Sequence, residues 1–228
     1  MDASCIRTCA LVGERGMQKL RDAAVLVAGL GGVGGYVVEG LARAGVGRIG
    51  LLDCDRVEES NLNRQILATR LTLGMAKTEA ARERVLSVAP SCRVDTYLLR
   101  YGADTADEVP LAEYDWVADA VDDVAAKVEL ICRAKAANVK IVSSMGTGNK
   151  LSADFVITDI KKTSVCPLAR AVRKALAARG VTGVDALWSS ELPKKNAGGP
   201  PSSVSYVPAV AGMQIAGHII RSLIAEEE

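Results

Sequence analysis

Short apolar runs, each closed by turn residues and followed by a helical spacing of apolar positions, recur along the first two thirds of this chain. Residues 25–28 (Val-Leu-Val-Ala) carry no polar side chain, the pattern of a strand buried on both faces. A glycine-rich turn and a predicted helix over 33–44 follow at once. The same unit returns with strands at 49–53, 94–98, 116–118 and 140–143, and with helices at 75–88, which Pro90 ends, and at 124–137. Before the first strand, Leu11, Val12, Met17 and Leu20 stand among charges and predict one or two short helices over 6–22. This alternation predicts an α/β fold with a mostly parallel sheet, right-handed crossovers and helices on both faces. Beyond residue 150 the pattern changes. A strand is expected at 155–157, a helix opened by Pro167 runs to Arg179, residues 196–203 read as loop, and 207–225 form a long apolar helix.

Length adds a bound on the number of units. A chain of 228 residues that is 49% hydrophobic fills one sizeable core. We therefore expect one domain over 1–228, with an N-terminal helical segment at about 1–23, a nucleotide-binding core at about 24–150 and a C-terminal part with extra strands and helices at about 151–228. The 28 basic and 27 acidic residues nearly cancel, so a polyanion must be met by a local patch and not by the field of the whole molecule. Gln214, His218 and Arg221 interrupt the apolar C-terminal segment, which reads as a core helix and not a membrane span. With no signal peptide at the start of the sequence, a cytoplasmic protein with no membrane partner is expected.

The six cysteines form no C-x-x-C pair, which argues against zinc and for small buried thiols in a reducing compartment. The only histidine, His218, lies among apolar residues and reads as structural. Histidine-based catalysis is thereby excluded, leaving carboxylates, Lys, Arg and at most a thiol.

Candidate chemistry starts at the turn. Gly29, Gly31 and Gly34 fit G-x-G-x-x-G between a strand and a helix, and Gly32 adds to a turn that leaves a helix N-terminus open to phosphate, as in a Rossmann-like fold. Asp53, 24 residues past Gly29, sits where an acidic side chain meets a ribose hydroxyl. The stretch that follows is dense in polar groups: Asp55, Asn61, Arg64, Gln65 and Lys77. Between Tyr101 and Ala126 there are eight acidic residues and no basic one. Most read as a solvated face, but one carboxylate, assigned to Asp122, is expected at a strand's carboxyl end where open α/β sheets bind ligands. The opposite bias follows later: Lys161, Lys162, Arg170, Arg173, Lys174 and Arg179 occur without an acidic residue among them, a candidate phosphate-backbone patch. Cys166, just before Pro167, is a candidate reactive thiol beside its structural reading.

In order and spacing, the glycine turn, Asp53-x-Asp55, Asn61-x-x-Arg64-Gln65, Lys77 and Asp122 resemble the adenylating family of ThiF, MoeB and the ubiquitin-activating enzymes, across most of residues 7–150. Arg7 to Gly13, Ser143 to Lys150 and Lys162 to Leu168 resemble most the branch of tRNA threonylcarbamoyladenosine dehydratases. The missing C-x-x-C pairs tell against the sulfur-carrier branch. What the resemblance implies is specific. Asp53 would hold the ribose of ATP, Asn61, Arg64 and Lys77 the phosphates, and Asp122 a magnesium ion. Arg7 would reach across a homodimer into the partner's site. The substrate would be tRNA carrying threonylcarbamoyladenosine, activated by adenylation of its threonyl carboxylate and then cyclised with loss of water; involvement of a sulfur-relay partner protein stays open. Three alternatives stand beside this reading: activation of the C-terminus of a ubiquitin-like or sulfur-carrier protein, a nicotinamide-dependent oxidoreductase, which leaves Asn61, Arg64 and Lys77 without a role, and a non-catalytic nucleotide-binding scaffold.

Overall fold

The structure, a computed structural model, describes residues 5–195 and 201–225. Helix α1 (Ile6–Asp22), kinked at Gly13, leads into strand β1 (Ala24–Ala28). There follow α2 (Gly34–Ala44), β2 (Arg48–Leu52), α3 (Lys77–Val88), β3 (Arg93–Tyr97), β4 (Trp116–Asp119), α4 (Val124–Ala136) and β5 (Lys140–Ser144). The C-terminal part adds β6 (Val156–Asp159), α5 (Pro167–Ala178), β7 (Asp185–Trp188) and α6 (Tyr206–Ile224). The strands form one sheet in the order β3-β2-β1-β4-β5-β7-β6, parallel except where β6 runs antiparallel to β7.

The two-residue period of a strand explains the two cores. Val25 and Val27 of β1 face one cluster with Ile49, Leu51, Trp116 and Ala118, covered by α1, α2, α3 and α6. Leu26 and Ala28 face the other with Val117 and Ile141, covered by α4 and α5. Every residue of β1 is therefore buried, as the unbroken apolar run requires. The strand order reverses between β1 and β4, because β1 is followed outward by β2 and β3 on one side and by β4 and β5 on the other. Such a switch point opens a crevice at the carboxyl ends of the strands.

Helix α6 is long and apolar enough to cross a membrane by composition. Val207, Ala211, Ile215 and Ile219 are buried in the first core instead, with α6 so close to α2 that a Cβ on Gly40 would meet the Ala216 methyl at 2.7 Å. Strand β7 departs from the expected pattern. Four residues inserted between β5 and β6, Asp-Ala-Leu-Trp, are too few to display a period, and only pairing reveals them. Helix α5 also stops one residue early, with Arg179 as its C-cap. Of the expected 196–203 loop, residues 196–200 lie outside the described residues.

Candidate functional site

A cleft of about 1010 Å³ lies along the carboxyl ends of β1, β2, β4 and β5. Its floor is the glycine turn. Gly29 has φ +83° and donates its N–H to Leu52 O at 2.8 Å; a Cβ there would stand 2.6 Å from Ala120 O. A Cβ on Gly34 would fall 1.8 Å from Gly29 O. Neither position admits a side chain, so the turn closes tightly and α2 begins at Gly34 with no side chain capping its N-terminus, a seat for phosphate.

Asp53 follows the last residue of β2 and is nearly fully buried. Its Oδ2 accepts from Leu30 N at 2.6 Å and its Oδ1 from Asp55 N at 2.8 Å, so its carboxylate is fixed against the glycine turn. Lys77 opens α3 and is also buried; its N–H donates to Asp55 O at 2.9 Å and its Nζ to Asp55 Oδ2 at 2.8 Å. The side-chain hydrogen bond outweighs burial and holds the Asp55 carboxyl below the usual carboxylate range. Asn61 closes a single 3₁₀ turn at Glu59–Asn61, and its Oδ1 accepts from Glu58 N at 3.1 Å. Arg64 donates to Ser60 O and to Asn63 Oδ1, both at 2.9 Å. The buried Gln65 Oε1 has no hydrogen-bond partner among the described residues, which leaves an acceptor for a donor group on a bound molecule.

The carboxylate at the end of β4 is Asp119, not the expected Asp122, and it is spent on the protein itself. Asp119 and Lys127 are both fully buried and joined at 2.8 Å; Ser143 Oγ donates to Asp119 Oδ2 at 2.6 Å, and Lys127 Nζ also reaches Ser144 O at 3.0 Å. This satisfied network locks the ends of β4 and β5 together. Asp122 stands three residues further on, exposed at the cleft, and among the described residues its carboxylate has no hydrogen-bond or ion-pair partner. Next to it Asp123 caps α4, accepting from Ala126 N at 2.8 Å. Asp122 is thus the acidic group on this loop that remains open to a cation.

On the far side, residues 144–150, Cys166, Pro167 and Leu168 line the cleft. Cys166 is 4% exposed and caps α5, its sulfur accepting from Ala169 N at 3.5 Å, a structural use of the thiol. Lys150, which the sequence did not single out by itself, is buried with its ammonium on the carbonyls of Ser189 and Glu191, and burial lowers its pKa. The thiol of Cys54 lies near Asp53 and Asp55, but those carboxylates already serve the turn and Lys77, and burial, with Asp55 beside it, raises the Cys54 pKa.

Apart from Arg179, which lines the cleft, the other candidates lie outside it. Arg7 is exposed on α1, and α1 packs at the Gly45 end of α2, opposite the glycine turn, so Arg7 is not in the cleft of its own chain. In the basic run, Arg173 donates to Thr163 Oγ1 at 2.6 Å and Arg179 to Glu129 Oε2 at 3.0 Å, whereas Lys161, Lys162, Arg170 and Lys174 are exposed. His218 stacks edge-on against Trp116, at the amino end of β4 and far from the cleft. Seven of the eight acidic residues before Ala126 are exposed; the exception is Asp119.

Comparison with known proteins supplies the rest. The ThiF family model matches residues 5–228. The tRNA threonylcarbamoyladenosine dehydratase of Bacillus subtilis strain 168 is 35% identical over 236 residues, spanning 95% of this chain and 93% of that protein. The crystal structure of Escherichia coli tRNA N6-threonylcarbamoyladenosine dehydratase in complex with ATP superposes with a TM-score of 0.90 at 32% identity, covering 96% of this chain and 92% of that one. By contrast, the sulfur carrier protein adenylyltransferase of Thermus thermophilus is 43% identical but over only 49% of this chain and 41% of its own length. The fold, the cleft and these likenesses agree, and the chain belongs to the ThiF family.

Proposed function

We propose that this protein is an ATP-dependent tRNA threonylcarbamoyladenosine dehydratase that adenylates the threonyl carboxylate and forms a cyclic product with net loss of water. The observation that carries the reading is likeness over nearly the whole length to relatives of that name, including a structure described with ATP, whereas likeness to a sulfur-carrier enzyme covers about half of the chain.

In this reading a threonyl carboxylate oxygen attacks the α-phosphorus of ATP; the new O–P bond forms as the bond to the β-phosphate bridging oxygen breaks, and pyrophosphate leaves. The carbamoyl oxygen then attacks the activated acyl carbon, the C–O bond to AMP breaks, and a carbamoyl N–H gives up its proton. The water lost from the nucleoside is accounted for by the oxygen carried away on AMP and two protons, one given up by the carboxyl group on ionising and one by the carbamoyl N–H. The second step is intramolecular and gains from proximity, which suits a site without histidine. Asp53, locked by two amides, accepts from the ribose; the N-terminus of α2, which no side chain caps, and the cations Arg64 and Lys77 bind the phosphates and offset the charge that builds up during attack. Asn61 completes the phosphate side, and the Gln65 Oε1 accepts from a donor group of the nucleotide. Asp122, a hard oxygen donor, would hold Mg²⁺, an ion that would shield phosphate charge. No zinc is invoked.

The tRNA backbone is met by Lys161, Lys162, Arg170 and Lys174, on and before the helix whose first residues rim the cleft, with Arg173 and Arg179 buttressing that face. Arg7, remote from its own cleft, serves the partner's cleft in a cytoplasmic homodimer. The reaction balances without a sulfur-relay partner protein. Isotope exchange between pyrophosphate and ATP tests the assignment: exchange stimulated by tRNA bearing threonylcarbamoyladenosine supports it, and exchange stimulated only by a ubiquitin-like or sulfur-carrier protein overturns it.

A further inference from the structure

Asn63 lies in the site's phosphate-side turn but touches two groups from different parts of the chain. Its Oδ1 accepts from Arg64 Nη1 at 2.9 Å and its Nδ2 donates to Ser203 O at 3.1 Å. One amide orientation satisfies both bonds, since a guanidinium only donates and a carbonyl only accepts. Ser203 belongs to a segment that is itself fastened to the opposite wall. Asn149 N donates to Ser202 O at 2.7 Å, Ser202 N donates to Asn149 Oδ1 at 2.8 Å, and Lys194 N donates to Asn149 O at 2.7 Å. Asn149 holds φ +59° to make these bonds, a conformation with a cost for a residue bearing a side chain. Pro201 packs close over Gly148, where a Cβ would come within 2.8 Å of the proline ring. A continuous set of contacts therefore runs from the loop after β5, through 201–203 and Asn63, to Arg64.

We propose that Asn63 is a positioning residue, which aims the Arg64 guanidinium at the phosphates by tying it to the 201–203 segment that Asn149 clips to the far wall of the cleft. The inference rests on the ATP-binding reading above and adds to it the residue that orders Arg64. Arg64 has four side-chain torsions and is only partly buried, so without the amide its head is held by the Ser60 carbonyl alone and samples more directions. With the clip in place, the group that binds phosphate and the far wall of the cleft are set relative to one another.

Titration calorimetry with ATP and with adenosine, which lacks phosphates, tests this on three variants. Asn63→Ala removes the bridge. Asn149→Gly removes the side-chain bond to Ser202 and keeps the backbone conformation, which glycine adopts without strain. The double variant joins the two. The expected result is a roughly fivefold to tenfold weaker Kd for ATP in Asn63→Ala, the scale of one ordinary hydrogen bond, with adenosine affinity unchanged. Asn149→Gly weakens ATP in the same direction, and the double variant is no weaker than Asn63→Ala alone, since both changes cut one connection. Equal losses for ATP and adenosine, no loss for ATP, or losses that multiply in the double variant overturn the inference while leaving the function reading intact. Wild-type protein that takes up no ATP overturns the function reading and this inference with it.

Discussion

Lys77 enters the cleft from the first turn of α3 with its carbon stem buried and its ammonium on a carboxylate whose own side chain is 60% exposed. Replacing it by methionine keeps the packed stem and removes the charge; solvent screens the Asp55 carboxylate left behind, so the cost in stability stays under about 1 kcal/mol. The cost in chemistry is larger. Lys77→Met is expected to slow AMP formation at least about a hundredfold, the loss typical of one group that stabilises transition-state charge, with a melting temperature close to wild type. A pyrophosphate-release assay beside a thermal melt checks both. At this scale the sequence was legible where chemistry shows in residue type: the glycines, Asp53, Arg64 and Lys77 stand out because packing alone does not demand them in that order. Asn63 and Lys150 were not legible as site residues, because their role depends on carbonyl groups of Ser203, Ser189 and Glu191, distant in sequence and brought near only by folding. Asp119 illustrates the opposite difficulty, since a buried, paired carboxylate and an open one look alike in sequence.

Between elements, a charged contact joins α2 to α3. Glu39 of α2 is nearly buried and takes Arg84 of α3 at 2.8 and 2.9 Å and Arg43 at 2.6 Å. Burial alone would raise its pKa, but the hydrogen bonds from Arg84 and then Arg43 prevail and hold it below the ordinary glutamate value of 4.5. A group held lower in the folded state stabilises above its unfolded pKa and loses that contribution as pH falls through the folded value. Glu39→Gln is therefore expected to lose about 1–3 kcal/mol at neutral pH, in the range of hydrogen bonds to charged groups, and the gap from wild type should close as pH drops below 4.5. Urea titrations at several pH values measure it; a gap that stays constant into acid would show that these ion pairs contribute nothing. The helices and strands of the βα units were readable because each apolar face must match its period, 3.6 or 2. Strand β7 was not, being four residues long and held by neighbours far away in the chain.

For the molecule as a whole, alternation of strands and helices was enough to expect a parallel sheet, and the side of the sheet that binds follows from its switch point. The order of the strands and the antiparallel β6 edge were not readable, since they are set by pairing between segments distant in the chain. The position of Arg7, at the far end of α2 from its own cleft, makes assembly testable. Mixing inactive Arg7→Ala and Arg64→Ala chains should restore about a quarter of wild-type activity, one intact site in each of the half of dimers that are mixed. Failure to complement, or full activity from a sedimenting monomer, would take Arg7 out of the site.

The central claim is that this cleft turns a carboxylate on tRNA into a cyclic product at the expense of ATP. Its most direct measurement is the mass of the nucleosides released from threonylcarbamoyladenosine-bearing tRNA after incubation with the protein, ATP and magnesium. A nucleoside lighter by one water is expected, with one AMP and one pyrophosphate formed for each. An unchanged nucleoside mass, from protein that binds ATP and tRNA that is intact, would contradict it.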